Sequence, residues 1–321
     1  MKSISDQIAA IQARSKDNKS VKKDEISESL PKAKNGYIAA PNSLFRSALF
    51  PALNNRPRKQ LKNETLFSVG GLSVVFTGEQ FDQSDLDVYL EILNIAKDYE
   101  FGAKVELSAY SILKAINKQP GGESNKWLYS VLFRLKATVV VLKDHQYSYT
   151  GSLIDGFFKD EASKHYSIRI NHDFAVLFNK GMWSSIDKQQ RQAIGKNQTA
   201  KSLHAYYSTH TNPAPHKIET LAKIAGLKNK NKYMIPATII KAHDILCSET
   251  VAFLKSYEVK DNKIKANFIE TQQQLFIASL YSYLHHNQNT EFIIDLDDVW
   301  KWLGFTNKAN AKKLLEKCFK I

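Results

Sequence analysis

The stretch VELSAYSILKAINKQPGGESNKWLYSVLFRLKAT, residues 105–138, decides the fold. Ser108 is placed to cap a short helix that runs out near Asn117, and QPGGESN is a turn. The second helix, over 124–138, puts Trp127, Leu128, Val131, Leu132 and Leu135 on one inner face. Two strand-like runs follow, TVVVLKD and YSIRINHDFAVLFN, separated by a polar loop. Helix, short helix, turn, helix and β-hairpin is the order of a winged helix, so residues 37–183 are expected to form one.

The helix that completes this unit lies upstream, in VFTGEQFDQSDLDVYLEILNIAKDYEF (75–101), where seven acidic residues stand against one lysine. Ser84-Asp85-Leu86-Asp87 resembles a capping box, with Asp85 and Asp87 in the first turn at the positive end of the helix dipole. Leu86, Tyr89, Leu90 and Leu93 recur at helical spacing, widened by Val88, Ile92 and Ile95, which predicts deep packing. The acid marks a side that a polyanion would avoid, and Glu91, Asp98 and Glu100 are candidate contacts for a protein partner. Before it, LFSVGGLSVVFTG (66–78) predicts a hairpin turning at Gly70–Gly71. PNSLFRSALF predicts a short docking helix with Leu44, Phe45, Leu49 and Phe50 inward and Asn42 or Ser43 as its cap.

The same order recurs downstream. QTAKSLHAYYSTH (198–210) is a helix, HKIETLAKIAGL gives a second stopped by Gly226, and KNKNKYM leads into a long helix started by Pro236. SYEVKDNKIKANF (256–268) supplies a second hairpin about Asp261–Asn262. The fold class is therefore α+β, with two tandem winged-helix domains at 37–183 and 184–268. Residues 1–36 are polar and lysine-rich, a basic tail without the apolar content to order itself. Residues 269–321 form a small helical module whose expected extent reaches past Ile321.

The 321 residues carry a formal charge of +13 with 43% hydrophobic residues, enough to build real cores. No apolar run approaches the ~20 residues of a membrane span and there is no leader-like start, which points to a cytoplasmic protein that does not enter a membrane. Cys247 and Cys318 sit in helix-like patterns as free thiols. The positive balance points to an anionic partner, with nucleic acid foremost. Residues 108–142 hold Lys114, Lys118, Lys126, Arg134 and Lys136 against Glu123. Residues 216–241 hold Lys217, Lys223, Lys228, Lys230, Lys232 and Lys241 against Glu219. Lysines near phosphate give affinity, whereas the start of the second helix of each pair reads base edges. Ser124, Asn125, Lys126, Tyr129 and Ser130 are the candidates in the first unit, with Lys114, Arg134 and Lys136 on phosphate or guanine. In the second they are Asn229, Lys230, Asn231, Lys232 and Tyr233, flanked by Lys228 and Lys241, with Lys260, Lys263 and Lys265 on the wing.

Catalytic patterns are poor. His285–His286 lack the His-x-His arrangement of a nicking enzyme, and Asp295, Asp297 and Asp298 lack a two-metal spacing. The glycine pairs are not followed by Lys-Ser/Thr as in a phosphate loop. Tyr206–Tyr207 could attack a phosphodiester, but their apolar helix face beside Leu203 favours a core role. No enzyme, cofactor or metal is expected.

In order and spacing, PNSLFRSALF, LSVVFTGEQFDQSDLDVYLEILNIAK, RLKATVVVL, INHDFAVLF, AKSLHAYYSTH and HKIETLAKIAG resemble the TrfA-type plasmid replication initiators over residues 37–268. That resemblance implies two winged-helix domains binding iteron repeats in double-stranded DNA at a plasmid origin. It also implies opening of an adjacent duplex and recruitment of the host helicase, its loader and the sliding clamp, with a monomer–dimer balance. A transcriptional regulator or phage or plasmid repressor of the same architecture is the competing class. Pro236 shifts the start of the second recognition helix relative to the family. The family's clamp-binding pentapeptide is absent from 1–36, while QQQLF (272–276) offers Gln272, Leu275 and Phe276 in the clamp-binding form. The same Leu275 and Phe276 also open LFIASLYSYL, a pattern of buried helix. Beyond it, IDLDDVWKWLGFTNKANAKKLLEK resembles a short domain found beside antirepressor-like modules of large DNA viruses and phages. Its place would be a third nucleic-acid contact or a protein-docking site.

Overall fold

Strand β1 (Tyr37–Pro41) runs into one helical turn, α1 (Asn42–Phe45), and Leu44, Phe45, Leu49 and Phe50 are all buried as expected. The hairpin β2 (Gln60–Leu66) and β3 (Ser73–Glu79) turns through Gly70 and Gly71, both at positive φ. Helix α2 (Gln83–Ala96) precedes β4 (Lys104–Ser108), α3 (Ala109–Ala115) and α4 (Gly122–Ala137). Strands β5 (Val139–Lys143), β6 (Ser148–Gly151), β7 (Gly156–Lys159) and β8 (His165–Arg169) follow, then a 3-10 helix (His172–Phe178) and β9 (Trp183–Asp187). The second half comprises α5 (Lys188–Ala193), α6 (Gln198–Tyr207), β10 (His216–Lys217), α7 (Ile218–Ile224), α8 (Met234–Cys247), β11 (Leu254–Lys260) and β12 (Lys263–Phe268). This computed structural model describes residues 29–54, 57–144, 147–163, 165–179, 181–227 and 233–269. Lys228, Asn229, Lys230, Asn231, Lys232, Gln272, Leu275, Phe276 and the C-terminal module lie outside the described residues.

One connectivity occurs twice. In the first half β4 leads into α3 and α4, and the sheet order is β4-β8-β7. In the second, β10 leads into α7 and α8, and the order is β10-β12-β11. In both, the strand ahead of the helix pair hydrogen-bonds the last strand of the hairpin. Each half has its own core, one around Tyr89, Leu132 and Phe174, the other around Leu203, Tyr207 and Ile239. β9 straddles the expected boundary after residue 183 and pairs with β1, so Ile186 joins the first core.

The first wing differs from its sequence expectation. TVVVLKD and YSIRI do not pair with each other. β5 instead extends the first hairpin into a sheet ordered β2-β3-β5-β6, because its buried Val140 and Leu142 stand opposite buried Phe76 and Val74. β8 carries Tyr166 and Ile168 against Leu107 and Val105 on β4. Each strand joins the sheet whose apolar residues match it in register. Past β8 the expected strand gives way to the 3-10 helix, where Asn171 accepts the Asp173 N–H at 2.9 Å. The tail is also shorter than expected, for Leu30 is buried in the first core.

Helix α2 starts at Gln83, so its cap lies two residues ahead of Ser84. Asp82 is its N-cap, accepting from Ser84 and Asp85 N–H groups at 2.8 and 3.0 Å, and Asp85 returns a bond from Asp82 N–H at 3.0 Å. Asp87 and Glu91 do not cap; they dock the second half. Asp87 binds Arg191 at 2.7 Å and Lys201 at 2.5 Å, and Glu91 binds Lys188 at 2.7 Å. Glu91 is thus buried and paired within the chain, contrary to its expected role as an open partner contact.

Arg46 adds bonds to Thr209 Oγ1 and O at 2.9 and 2.7 Å across the same seam. Helix α7 ends in a Schellman motif: Gly226 N–H bonds Lys223 O at 3.0 Å and Leu227 N–H bonds Ala222 O at 2.9 Å. Gly226 has φ +64°, and a Cβ there would lie 2.3 Å from Pro51 Cβ and 3.1 Å from its Cα. Gly226→Ala is therefore expected to destabilise the protein by about 2–3 kcal/mol through left-handed strain and overpacking, read as a lower urea midpoint. A shift below about 0.5 kcal/mol would mean that the seam gives way freely.

The second core holds two buried histidines. His243 Nδ1 faces Ile239 O at 2.8 Å, so Nε2 accepts from the Tyr207 hydroxyl at 2.9 Å. Burial lowers both histidines below the usual value, for His204 with further push from Arg191 and Lys201. The unfolded chain therefore binds more protons below pH about 6.5, so this stability is complete above that pH and is lost as pH falls. Urea midpoints are expected to drop between pH 6.5 and 5.5, by up to ~1.4 kcal/mol per pH unit for each histidine. A flat profile would contradict a neutral buried pair.

Candidate nucleic-acid interface

In the first half Ser108 caps α3, accepting from Ser111 N–H at 3.0 Å, as its sequence position predicts. Asn117, at φ +57°, turns the chain toward α4. On α4 the buried stripe of Leu128, Val131, Leu132 and Leu135 leaves Lys126, Tyr129, Phe133 and Lys136 exposed, with Ser124, Asn125 and Ser130 half-buried. Lys114 is exposed on α3. The Lys126–Glu123 pair at 3.3 Å is open to water, 80% and 94% exposed, so it holds Lys126 only weakly. Ser130 donates to Trp127 O at 2.7 Å, which commits its hydroxyl hydrogen to the helix.

The hairpin β7–β8 packs on this face. Phe157 meets the Tyr129 ring edge-on at 5.5 Å, and Lys159 lies 5.9 Å over the same ring. Asn125, Lys126, Tyr129, Lys159, Glu161 and Tyr166 line the groove between helix and hairpin. Lys159 carries no local signal as a contact, because its place beside Tyr129 depends on the long-range pairing of β7 with β8.

Arg134 is a correction. Expected on guanine or phosphate, it is 7% exposed and binds Asp85 at 3.1 Å and Glu79 at 3.3 Å. Despite burial, the two carboxylates hold its guanidinium above the ordinary value. Its spacing was the available signal: Arg134 falls three residues after Val131 and beside Leu135, on the buried side of the helix. The large apolar residues that this helix exposes are Tyr129 and Phe133, at 44% and 58%.

In the second half α8 starts at Met234, two residues before the expected Pro236, which sits in the first turn where its missing N–H is tolerated. Tyr233 is 87% exposed and Lys241 is exposed one face along. Asp261 and Asn262, at φ +50° and +58°, close the β11–β12 hairpin as expected.

Register brings three lysines together. Lys263 stands opposite Lys260 on one side and Lys217 on the other, so the row crosses all three strands. Direct partners share a face and lie about 5 Å apart, and like charges so placed repel. Lys265, by contrast, stands opposite Glu258. Lys217 joins this set only through β10, a strand of two residues that carries no sequence signal of its own.

Tyr206 and Tyr207 are core residues, 2% and 0% exposed. Burial raises the Tyr206 phenol to about 12 and pushes Tyr207 further, which opposes nucleophilic use. No described helix is long and apolar enough to cross a membrane.

Among solved structures the chain is similar to domains 2 and 3 of RctB, at 13% identity over 71% of this chain and 98% of that one, with a TM-score of 0.47. It is also similar to the Pi initiator protein in complex with iteron DNA, at 10% identity over 75% and 100% of the two chains, TM-score 0.47. Among curated proteins the plasmid replication initiator protein TrfA of Escherichia coli is 26% identical over 196 residues, 59% of this chain. Those residues are 51% of that protein, so the chain spans about half the length of the relative it matches. The family model described as TrfA protein matches residues 4–265, most of the sequence, and the chain belongs to the TrfA family.

Proposed function

We propose that the chain is a plasmid replication initiator whose two halves are tandem winged-helix domains gripping repeated sites in double-stranded origin DNA. The observation that carries this is the repeated connectivity, in which each half offers an exposed polar helix face beside a hairpin. Family membership supports the initiator role over a regulator of the same architecture. In the first half Ser124, Asn125, Lys126, Tyr129 and Ser130 face bases, with Lys114 and Lys136 on phosphate; Arg134 supports the helix from within. In the second half Tyr233 and Lys241 reach DNA from the start and the exposed face of α8, and Lys228, Asn229, Lys230, Asn231 and Lys232, which lie outside the described residues, are contacts of the same set. Lys260, Lys263 and Lys265 contact backbone from the wing. The initiator then opens adjacent duplex, engages host helicase, loader and clamp, and exchanges between monomer and dimer in the cytoplasm.

Gel shifts at physiological salt with repeats from the DNA flanking the gene test the reading; equal affinity for scrambled DNA rejects it. An origin-unwinding assay separates an initiator from a regulator that merely occupies its site. Asn125→Ala is expected to relax preference between sequences, whereas Lys136→Ala weakens all alike and reduces the log–log salt slope by about 1. Equal effects of the two substitutions would place a different face of α4 on the DNA.

A further inference from the structure

The seam between the halves holds an open cleft of about 620 Å³ that DNA reading does not use. Its floor is apolar, with half-buried Ile116 and Trp127 facing the cleft above the buried Ile38, Leu90 and Ile186. Its rim is cationic, with Lys118, Lys188, Arg191, Lys196 and Lys201 against only Asp87 and Glu91. Those two carboxylates are taken by Lys188, Arg191 and Lys201. Lys118 lies 4.4 Å over the Trp127 ring, and neither it nor Lys196 has a carboxylate partner among the described residues. A cationic rim over an apolar floor suits an anionic peptide that also carries large apolar side chains. Sugar-phosphate backbone would leave the floor unfilled.

The chain holds such a segment. EFIIDLDDVW, residues 291–300, has four carboxylates, six large apolar residues and no base. The described chain also ends close by. The Phe268 ring is 5.5 Å from Phe253, and Phe253 is 4.5 Å from His204. His204 Nε2 is 3.4 Å from Gln190 Oε1 on α5, the helix that gives Lys188, Arg191 and Gln192 to the cleft. The residues from Ile269 to Glu291 reach up to about 70 Å when extended, more than the span requires. We infer that residues 291–300 dock in the cleft between the two halves, carboxylates on Lys118 and Lys196 and apolar side chains on the Trp127 floor.

The peptide titration uses the whole 321-residue chain and no DNA, so its outcome is independent of the initiator reading. A fluorescein-labelled peptide of residues 290–301 is titrated with the chain carrying Asp295→Asn, Asp297→Asn and Asp298→Asn, which vacates the cleft without making its own segment cationic, and anisotropy is read. Capture is expected to be at least tenfold tighter than by the unaltered chain, whose own segment competes. Adding Lys118→Glu and Lys196→Glu should weaken capture at least tenfold, and a peptide with its three aspartates changed to lysine should restore it. That rescue separates loss of docking from loss of fold. Equal capture by unaltered and vacated chains, or indifference to the two lysine reversals, overturns the inference. So does a result in which those reversals leave peptide capture intact and flatten the salt slope of DNA binding, which would assign the cleft to phosphate.

Discussion

Asp85→Ala is expected to lower unfolding free energy by about 3–5 kcal/mol, the range for breaking a buried ion pair and stranding its partner. The Asp85 side chain is fully buried and meets Arg58 at 2.7 Å, Arg134 at 3.1 Å and Asp82 N–H at 3.0 Å. Burial and the neighbouring Asp82 push its carboxyl up from the ordinary value, while the two guanidiniums pull it back. Without Asp85, Arg134 keeps only the half-exposed Glu79 at 3.3 Å and the capping box loses its return bond. Urea titration at neutral pH measures the loss, and a shift under about 1 kcal/mol would mean that water reaches the stranded guanidinium. Arg134→Met gives the complementary result. It removes a buried charge at similar volume and leaves Asp85 with Arg58, so stability falls less and the salt slope of DNA binding stays unchanged. A slope reduced by about 1 would return Arg134 to the phosphate-binding set.

Removing the lysine row is expected to have the largest effect on DNA. With a slope near −0.9 per phosphate contact, each contact is worth about 0.7 decade of affinity at 0.15 M salt. Lys217→Ala, Lys260→Ala and Lys263→Ala together should therefore weaken binding about 100-fold and reduce the salt slope by about 2.7. Repeat and scrambled DNA should lose affinity alike, because the row touches no base edge. The same variant should be slightly more stable without DNA, since three cations in one cross-strand row repel each other. Unchanged affinity in filter binding across a salt series would remove the second hairpin from the interface.

The acidic segment ties these results together. In sequence its carboxylates stand out as a block and suggest a face turned away from DNA. In the fold Asp82 and Asp85 cap α2 and hold Arg58 and Arg134, while Asp87 and Glu91 clasp Lys188, Arg191 and Lys201 from the second half. Much of the segment's acid is thus matched by basic residues of its own chain, and this removes Arg134 from the cations open to phosphate.

The sequence by itself determined the longer helices, their inner faces and the repeated order, though neither α5 nor the 3-10 helix. Leu128, Val131, Leu132 and Leu135 on α4, Ser108 as a cap, Gly226 as a stop and Asp261–Asn262 as a turn are local facts of spacing and backbone preference. Family motifs were legible for the same reason, being runs of neighbouring residues. Strand partnership was decided only by the tertiary structure. β5 could pair equally well with several apolar strands, and its choice of β3 follows from which faces had to be buried together. The same holds for charge. Whether Arg134 meets phosphate or Asp85, and whether Lys217 stands alone or beside Lys263, depends on residues 49 and 46 positions away. Composition counts such charges, but long-range register and burial decide which of them face water.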